Sequence, residues 1–139
     1  MNRYAVLIGA ALTMAVAPAA GQQRLRSEKV QILVETVARG LDHPWGLAFL
    51  HDGRMLVTER AGHLRVVSPD GQVSPPLVGV PRVHVGEGGL LDVVLDPKFA
   101  ENSLVYLSYV EPREGGAATA AGRAHLNACL LYTSDAADE

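Results

Sequence analysis

The sequence predicts an all-β domain, and three observations carry that prediction. Short apolar runs recur with β-branched and aromatic residues and are punctuated by Gly, Pro and Asp-Gly pairs. No segment between Val30 and Val110 sustains a helical period. The order of strands and turns also repeats weakly.

The strands follow in order. Val30, Ile32 and Val34 alternate with Gln31, Leu33 and Glu35, a partial period-2 signal. Leu47-Ala48-Phe49-Leu50 is an apolar run, and Asp52-Gly53 separates it from Met55-Leu56-Val57-Thr58. That spacing predicts a hairpin with a type I′ turn, which needs positive φ at both turn residues. Gly62 breaks the chain before a third strand, Leu64-Arg65-Val66-Val67. Pro69-Asp70-Gly71 has the chemistry of a second turn. Val73 to Val80 contains Pro75-Pro76, which restricts it to an edge or an irregular strand.

The pattern then restarts. Gly88-Gly89 lead into Leu90-Leu91-Asp92-Val93-Val94-Leu95, and Asp96-Pro97 ends that strand. Leu104 to Val110 is rich in β-formers. Glu111 to Ala121 is Gly/Ala-rich and reads as a loop, and Arg123 to Leu126 begins a further strand. The repeat aligns Gly46-Leu47-Ala48-Phe49 with Gly89-Leu90-Leu91-Asp92, and Met55 with Val105. Short antiparallel strands repeating every 40–50 residues or so point to propeller blades, and a β-sandwich shows similar strand spacing.

Composition narrows the function. The chain has 139 residues, enough for one small domain, with 48% hydrophobic and 19% charged residues and a net charge of -3. Such a chain is not disordered and offers no basic surface for nucleic acid. The charge is uneven. Residues 20–128 are almost neutral, whereas residues 129–139 hold three acids and no base. Arg3, an uncharged apolar run to Ala17, and Ala17-Pro18-Ala19 form the three-part layout of a secretory signal peptide. Residues 1–19 are expected to be cleaved on export to the periplasm or beyond. The run is too short for a membrane span, and residues 20–31 then begin the mature chain. The single cysteine, Cys129, excludes an intrachain disulfide. It opens a tail, residues 129–139, that resembles the translation of a sequencing adapter and is expected to be a scar.

Few residues suggest chemistry. The five histidines show no metal-binding spacing, and no calcium loop is present. Asp92 and Asp96 lie on and after a strand, and Asp96-Pro97 reads as a terminator. Trp45 reads as core, and Glu59-Arg60 as a surface pair of little energetic weight. Gly86-Glu87-Gly88-Gly89 is the most loaded loop. Its residues alone read as a turn, or as a loop placing Glu87 at the entry to an inner strand.

Two motifs extend the reading. Gly40-Leu41-Asp42-His43-Pro44-Trp45-Gly46-Leu47-Ala48-Phe49-Leu50, continued by Asp52 to Arg60, is the first. Gly86-Glu87-Gly88-Gly89-Leu90-Leu91-Asp92-Val93-Val94-Leu95-Asp96-Pro97-Lys98-Phe99, continued by Val105 to Tyr109, is the second. In order and spacing they resemble the soluble quinoprotein sugar dehydrogenases of the glucose/sorbosone dehydrogenase family. The resemblance implies a partial six-bladed β-propeller over residues 32–128, holding the first one to two blades. It implies oxidation of the C1 hydroxyl of an aldose, with pyrroloquinoline quinone (PQQ) accepting hydride and calcium supporting the cofactor. It further implies an external electron acceptor and a homodimer for the complete protein. The family's catalytic His lies in a later H-x-x-G-R-L-type motif that this sequence lacks, so no catalytic, cofactor-binding or metal-binding residue is expected here and the chain alone is expected to be inactive. His125 is not that base. The resemblance gives one substrate-contacting position, Glu87, where the family usually has Gln. An ionised carboxylate only accepts hydrogen bonds, whereas Gln donates and accepts. The rival readings are a propeller that binds sugar without oxidising it and a metal-dependent, lactonase-like hydrolase.

Overall fold

The computed structural model describes residues 22–86, 88–127 and 130–133. The signal segment 1–19 and, in the tail, Cys129 and residues 134–139 lie outside the described residues. The chain divides into two compact units between Thr36 and Val37.

The first unit contains an antiparallel hairpin of β1 (Gln22–Arg26) and β2 (Gln31–Glu35), in register from Gln22↔Glu35 to Arg26↔Gln31. Ser27 closes its turn, donating its hydroxyl to the Val30 carbonyl at 2.8 Å and accepting the Val30 N–H at 3.1 Å. The alternation of Ile32 and Val34 produces a strand, but every residue of β2 is exposed.

The second unit contains two antiparallel sheets. In the first, β3 (Pro44–Phe49), β4 (Met55–Glu59) and β5 (His63–Val67) pair in sequence order. In the second, β6 (Leu90–Leu95), β7 (Leu104–Arg113), β8 (Gly116–Asn127) and β9 (Leu130–Thr133) do the same. A four-residue helix, α1 (Phe99–Asn102), fills the loop after Asp96-Pro97. The two sheets share one feature of register. Each first strand carries one irregularity, between Pro44 and Leu47 in β3 and between Leu90 and Val93 in β6. Pro44 therefore corresponds to Leu90 and Leu47 to Val93. The alignment of Gly46 with Gly89 read from the sequence is shifted by a few residues, because the irregularity rather than the glycine sets the register.

Alternation on β4 and β5 explains the layering. Leu56 and Leu64 face the second sheet and join Leu50, Leu77, Leu90, Val93, Val105, Leu107 and Ala124 in one buried cluster. Met55, Val57 and Val67 face the other way and pack with Ala38, Leu41 and Val73. Both faces of β4 are thus covered and all five of its residues are buried. At roughly 25 cal/mol per Å2 of apolar area, this burial is the main force holding the sheets together.

Three expectations are corrected. The turn at Asp52-Gly53 is not type I′: only Gly53 has positive φ, at 84°. The loop has three residues, with Gly53 N–H to Leu50 O at 3.0 Å and Leu50 N–H to Arg54 O at 2.8 Å, as in a type I turn followed by a left-handed glycine. Glu111 to Ala121 is not a loop. It forms the end of β7 and the start of β8, paired from Arg113↔Gly116 through Ser108↔Ala121. Gly and Ala have weak strand preference, but pairing against β7 overrides it. Val73 to Val80 forms no strand among the described residues. It meets β5 through the bridge Val67↔Val73 and through the Ser74 N–H to Val66 O and Leu77 N–H to Leu64 O bonds, at 2.9 and 2.8 Å.

Candidate functional site

The ends of β4 and β7 and the loop before β6 meet on one side of the second unit. The sequence dictates part of this meeting. Gly89 has φ of 111°, a region that disfavours side chains, and a Cβ there would stand 2.1 Å from the Arg60 carbonyl oxygen. That approach lets the Leu90 N–H bond to the same oxygen at 3.2 Å, while the Val110 N–H bonds to Gly89 O at 2.8 Å. The His84 N–H bonds to Val110 O at 2.8 Å. The loop is thus stitched to β4 on one side and β7 on the other.

Arg60 completes the arrangement. Its Nε donates to Gly88 O and its second terminal nitrogen to Gly86 O, both at 3.2 Å. Its guanidinium carbon lies 5.9 Å from the Trp45 ring centroid, within the range of a cation–π contact. Two concavities flank it. One of about 430 Å3 is lined by His84, Gly86, Gly88, Val110 and Ala117. The other, of about 290 Å3, is lined by Asp42, His43, Arg60, Ala61 and Val85. On its rim His43 sits at φ of 47° and its Nδ1 lies 2.5 Å from an Asp42 carboxylate oxygen.

Glu87, the one substrate-contacting residue expected from the sequence, lies outside the described residues. Its neighbours Gly86 and Gly88 are described and held by Arg60. Two sequence readings are corrected here. Trp45 is not core: it is 62% exposed and alternates onto the same exposed face of β3 as Leu47 and Phe49. Glu59 and Arg60 are not a surface pair. Glu59 is fully buried and accepts the Asp42 N–H at 2.8 Å, Arg65 Nε at 3.0 Å and a His63 Nδ1 contact at 3.0 Å. Burial pushes its carboxyl up, but the Asp42 N–H, Arg65 and His63 together outweigh this and hold it below the ordinary value of 4.5. Successive residues on a strand face opposite ways, so Glu59 enters the sheet while Arg60 leaves it.

The remaining candidates have structural partners. Asp96 accepts Tyr106 Oη–H at 2.7 Å, the Lys98 N–H at 2.8 Å and Asn102 Nδ2 at 3.0 Å, which fixes the turn into α1. An Asp92 carboxylate oxygen accepts the Val93 N–H at 2.8 Å. His125 Nδ1 contacts Asn102 O at 2.9 Å, and the His51 ring lies 6.2 Å from that of Phe99. Among the described residues no three His, Cys, Asp or Glu side chains cluster as a metal site would require.

Residues 41–136 match the family model described as Glucose / Sorbosone dehydrogenase. The chain is 48% identical over 105 residues to the aldose sugar dehydrogenase YliI of Escherichia coli, covering 73% of this chain and 28% of that protein. The apo-form structure of the soluble aldose sugar dehydrogenase from Escherichia coli superposes with a TM-score of 0.66 at 46% identity, over 73% of this chain and 30% of that one. The PQQ-bound aldose sugar dehydrogenase of Streptomyces coelicolor superposes at 0.58 and 26% identity, over 84% of this chain and 35% of that one. The chain thus spans about a third or less of the length of these relatives.

Proposed function

The chain belongs to the glucose/sorbosone dehydrogenase family, and from that membership we propose that it supplies the first two blades of an exported, PQQ-dependent enzyme that oxidises the C1 hydroxyl of an aldose. Its two sheets are blades of the six-bladed β-propeller fold of that family. The observation that carries the proposal is the loop from Gly86 to Leu90. It is stitched to both sheets and fixed by Arg60 at the carbonyls either side of position 87. In this reading Glu87 meets a sugar hydroxyl as an acceptor, and the change from amide to carboxylate favours hydroxyls that donate.

PQQ, when bound, supplies the redox step. In this reading the contribution of this chain is to bind and orient the sugar. The 139 residues alone are proposed to be inactive, since they contain no H-x-x-G-R-L motif. An external electron acceptor, calcium, a homodimer and export after cleavage behind Ala19 belong to the same proposal.

The test is to read the source DNA across the codon for Ala128, express the frame found there, and assay dye reduction with added PQQ, calcium and D-glucose. We expect the 139-residue chain to be silent and a frame that continues into an H-x-x-G-R-L motif to reduce the dye. A frame that ends at Glu139 overturns the proposal. So does calcium-dependent lactone hydrolysis without quinone.

A further inference from the structure

We propose that Arg60 is a positioning residue whose guanidinium, by bonding the carbonyls of Gly86 and Gly88 together, sets the main chain on both sides of position 87. The inference rests on the reading that position 87 meets the substrate. The two acceptors are one residue apart from Glu87 on either side and each lies 3.2 Å from its donor. Nε and a terminal nitrogen lie on one edge of a planar group, so the fork matches two carbonyls at a fixed spacing. A lysine ammonium is a point charge on a flexible stem and does not impose that spacing.

The rest of the geometry leaves Arg60 little freedom. Its main-chain N–H bonds to His43 O at 3.2 Å and its carbonyl receives Leu90 N–H at 3.2 Å. Its guanidinium lies over Trp45, the only tryptophan in the chain. Gly86, Gly88 and Gly89 contribute no side chains that could hold the loop. Three glycines in four residues give a loop of high intrinsic freedom, and Arg60 donates to two of its carbonyls. One residue thus joins the first sheet to the loop that opens the second.

The experiment uses the full 139-residue chain labelled for NMR, as wild type, Arg60→Lys and Arg60→Ala. It reads the 13C shifts of the Gly86 and Gly88 carbonyls and hydrogen exchange at the Leu90 and Val110 amides, which bond to Arg60 O and Gly89 O. The Leu77 amide, bonded to Leu64 O, reports the rest of the fold, and Trp45 emission reports the charge above its ring. In Arg60→Lys we expect both carbonyls to move upfield, as carbonyls do on losing a donor. Exchange at Leu90 and Val110 should rise about tenfold, the order expected for a lost charge-assisted bond, with Leu77 and Trp45 emission unchanged. Arg60→Ala should add a change in Trp45 emission. Wild-type shifts and exchange in Arg60→Lys would show that charge alone suffices and overturn the proposal. An equal rise at Leu77 would also overturn it, by showing a general structural role. Should Arg60→Ala fail to fold, Arg60→Lys decides. These readouts need no turnover, so the clamp and the sugar dehydrogenase reading fail separately.

Discussion

Glu59 carries a carboxylate with no exposed surface, and it stays ionised because three donors converge on it. Removing it by Glu59→Ala leaves the half-buried Arg65 and the Asp42 N–H without their acceptor, and should lower unfolding free energy by about 3 kcal/mol, read from urea denaturation. Its folded pKa lies below the ordinary 4.5, so its contribution is present above that value and is lost as pH falls through the folded pKa. The denaturation midpoint should therefore fall on acidification below about pH 4.5, and fall less steeply in Glu59→Gln. Tyr106 offers an opposite case at the surface. Its hydroxyl donates to Asp96, which holds the phenol above the ordinary 10.0. Asp96→Asn should bring the Tyr106 titration down towards that value, measured by 13C NMR of the ring; an unchanged titration would remove Asp96 as the cause.

Pairs of strands are joined by contacts that no single strand contains. The Thr58 hydroxyl, fully buried on β4, accepts the Gly46 N–H at 2.8 Å and donates to Leu91 O on β6 at 2.5 Å. A Cβ on Gly46 would lie 2.5 Å from Asp92 Oδ1 and 2.9 Å from the Asp92 Cα. The first strands of the two sheets thus approach at a glycine and are bonded through a threonine. Gly46→Ala must push β3 away from β6 and should cost about 2 kcal/mol, seen as a lower denaturation midpoint with the same slope. Much of the element pattern is legible in advance. Met55–Thr58, Leu64–Val67 and Leu90–Leu95 announce themselves by β-branched and apolar runs between turns. The start of β8 does not, because its Gly and Ala residues hold strand geometry only through pairing with β7.

The second unit is held by one cluster drawn from both sheets, with Leu56 and Leu64 from the first and Leu90, Val93, Val105 and Leu107 from the second. Leu56 has no exposed surface. Leu56→Ala should therefore cost about 3 kcal/mol, and amide exchange should rise in both sheets rather than only in the one that carries the substitution. Loss confined to the first sheet would mean that the sheets unfold separately. On the edge of the same unit Trp45, Leu47 and Phe49 of β3 are 62%, 48% and 69% exposed. Three large apolar side chains so exposed on one strand are unusual for a closed domain, and the chain spans about a third or less of its relatives.

Strand order, turn positions and family membership are legible in the amino-acid order, because each depends on neighbours in the chain. Alternation sets which residues share a face, glycine permits left-handed turns, and the two motifs keep their spacing. The site is legible only as a loop, Gly86 to Gly89, and as the pair Glu59-Arg60. What each member of that pair does follows from folding. Glu59 is ionised and buried because Asp42, 17 residues earlier, and Arg65 reach it. Arg60 holds a loop whose carbonyls lie 26 and 28 residues away. Such partners meet only after the sheets pack, so burial, ion pairing and the hold on the Gly86 and Gly88 carbonyls belong to the assembled unit and not to the local pattern.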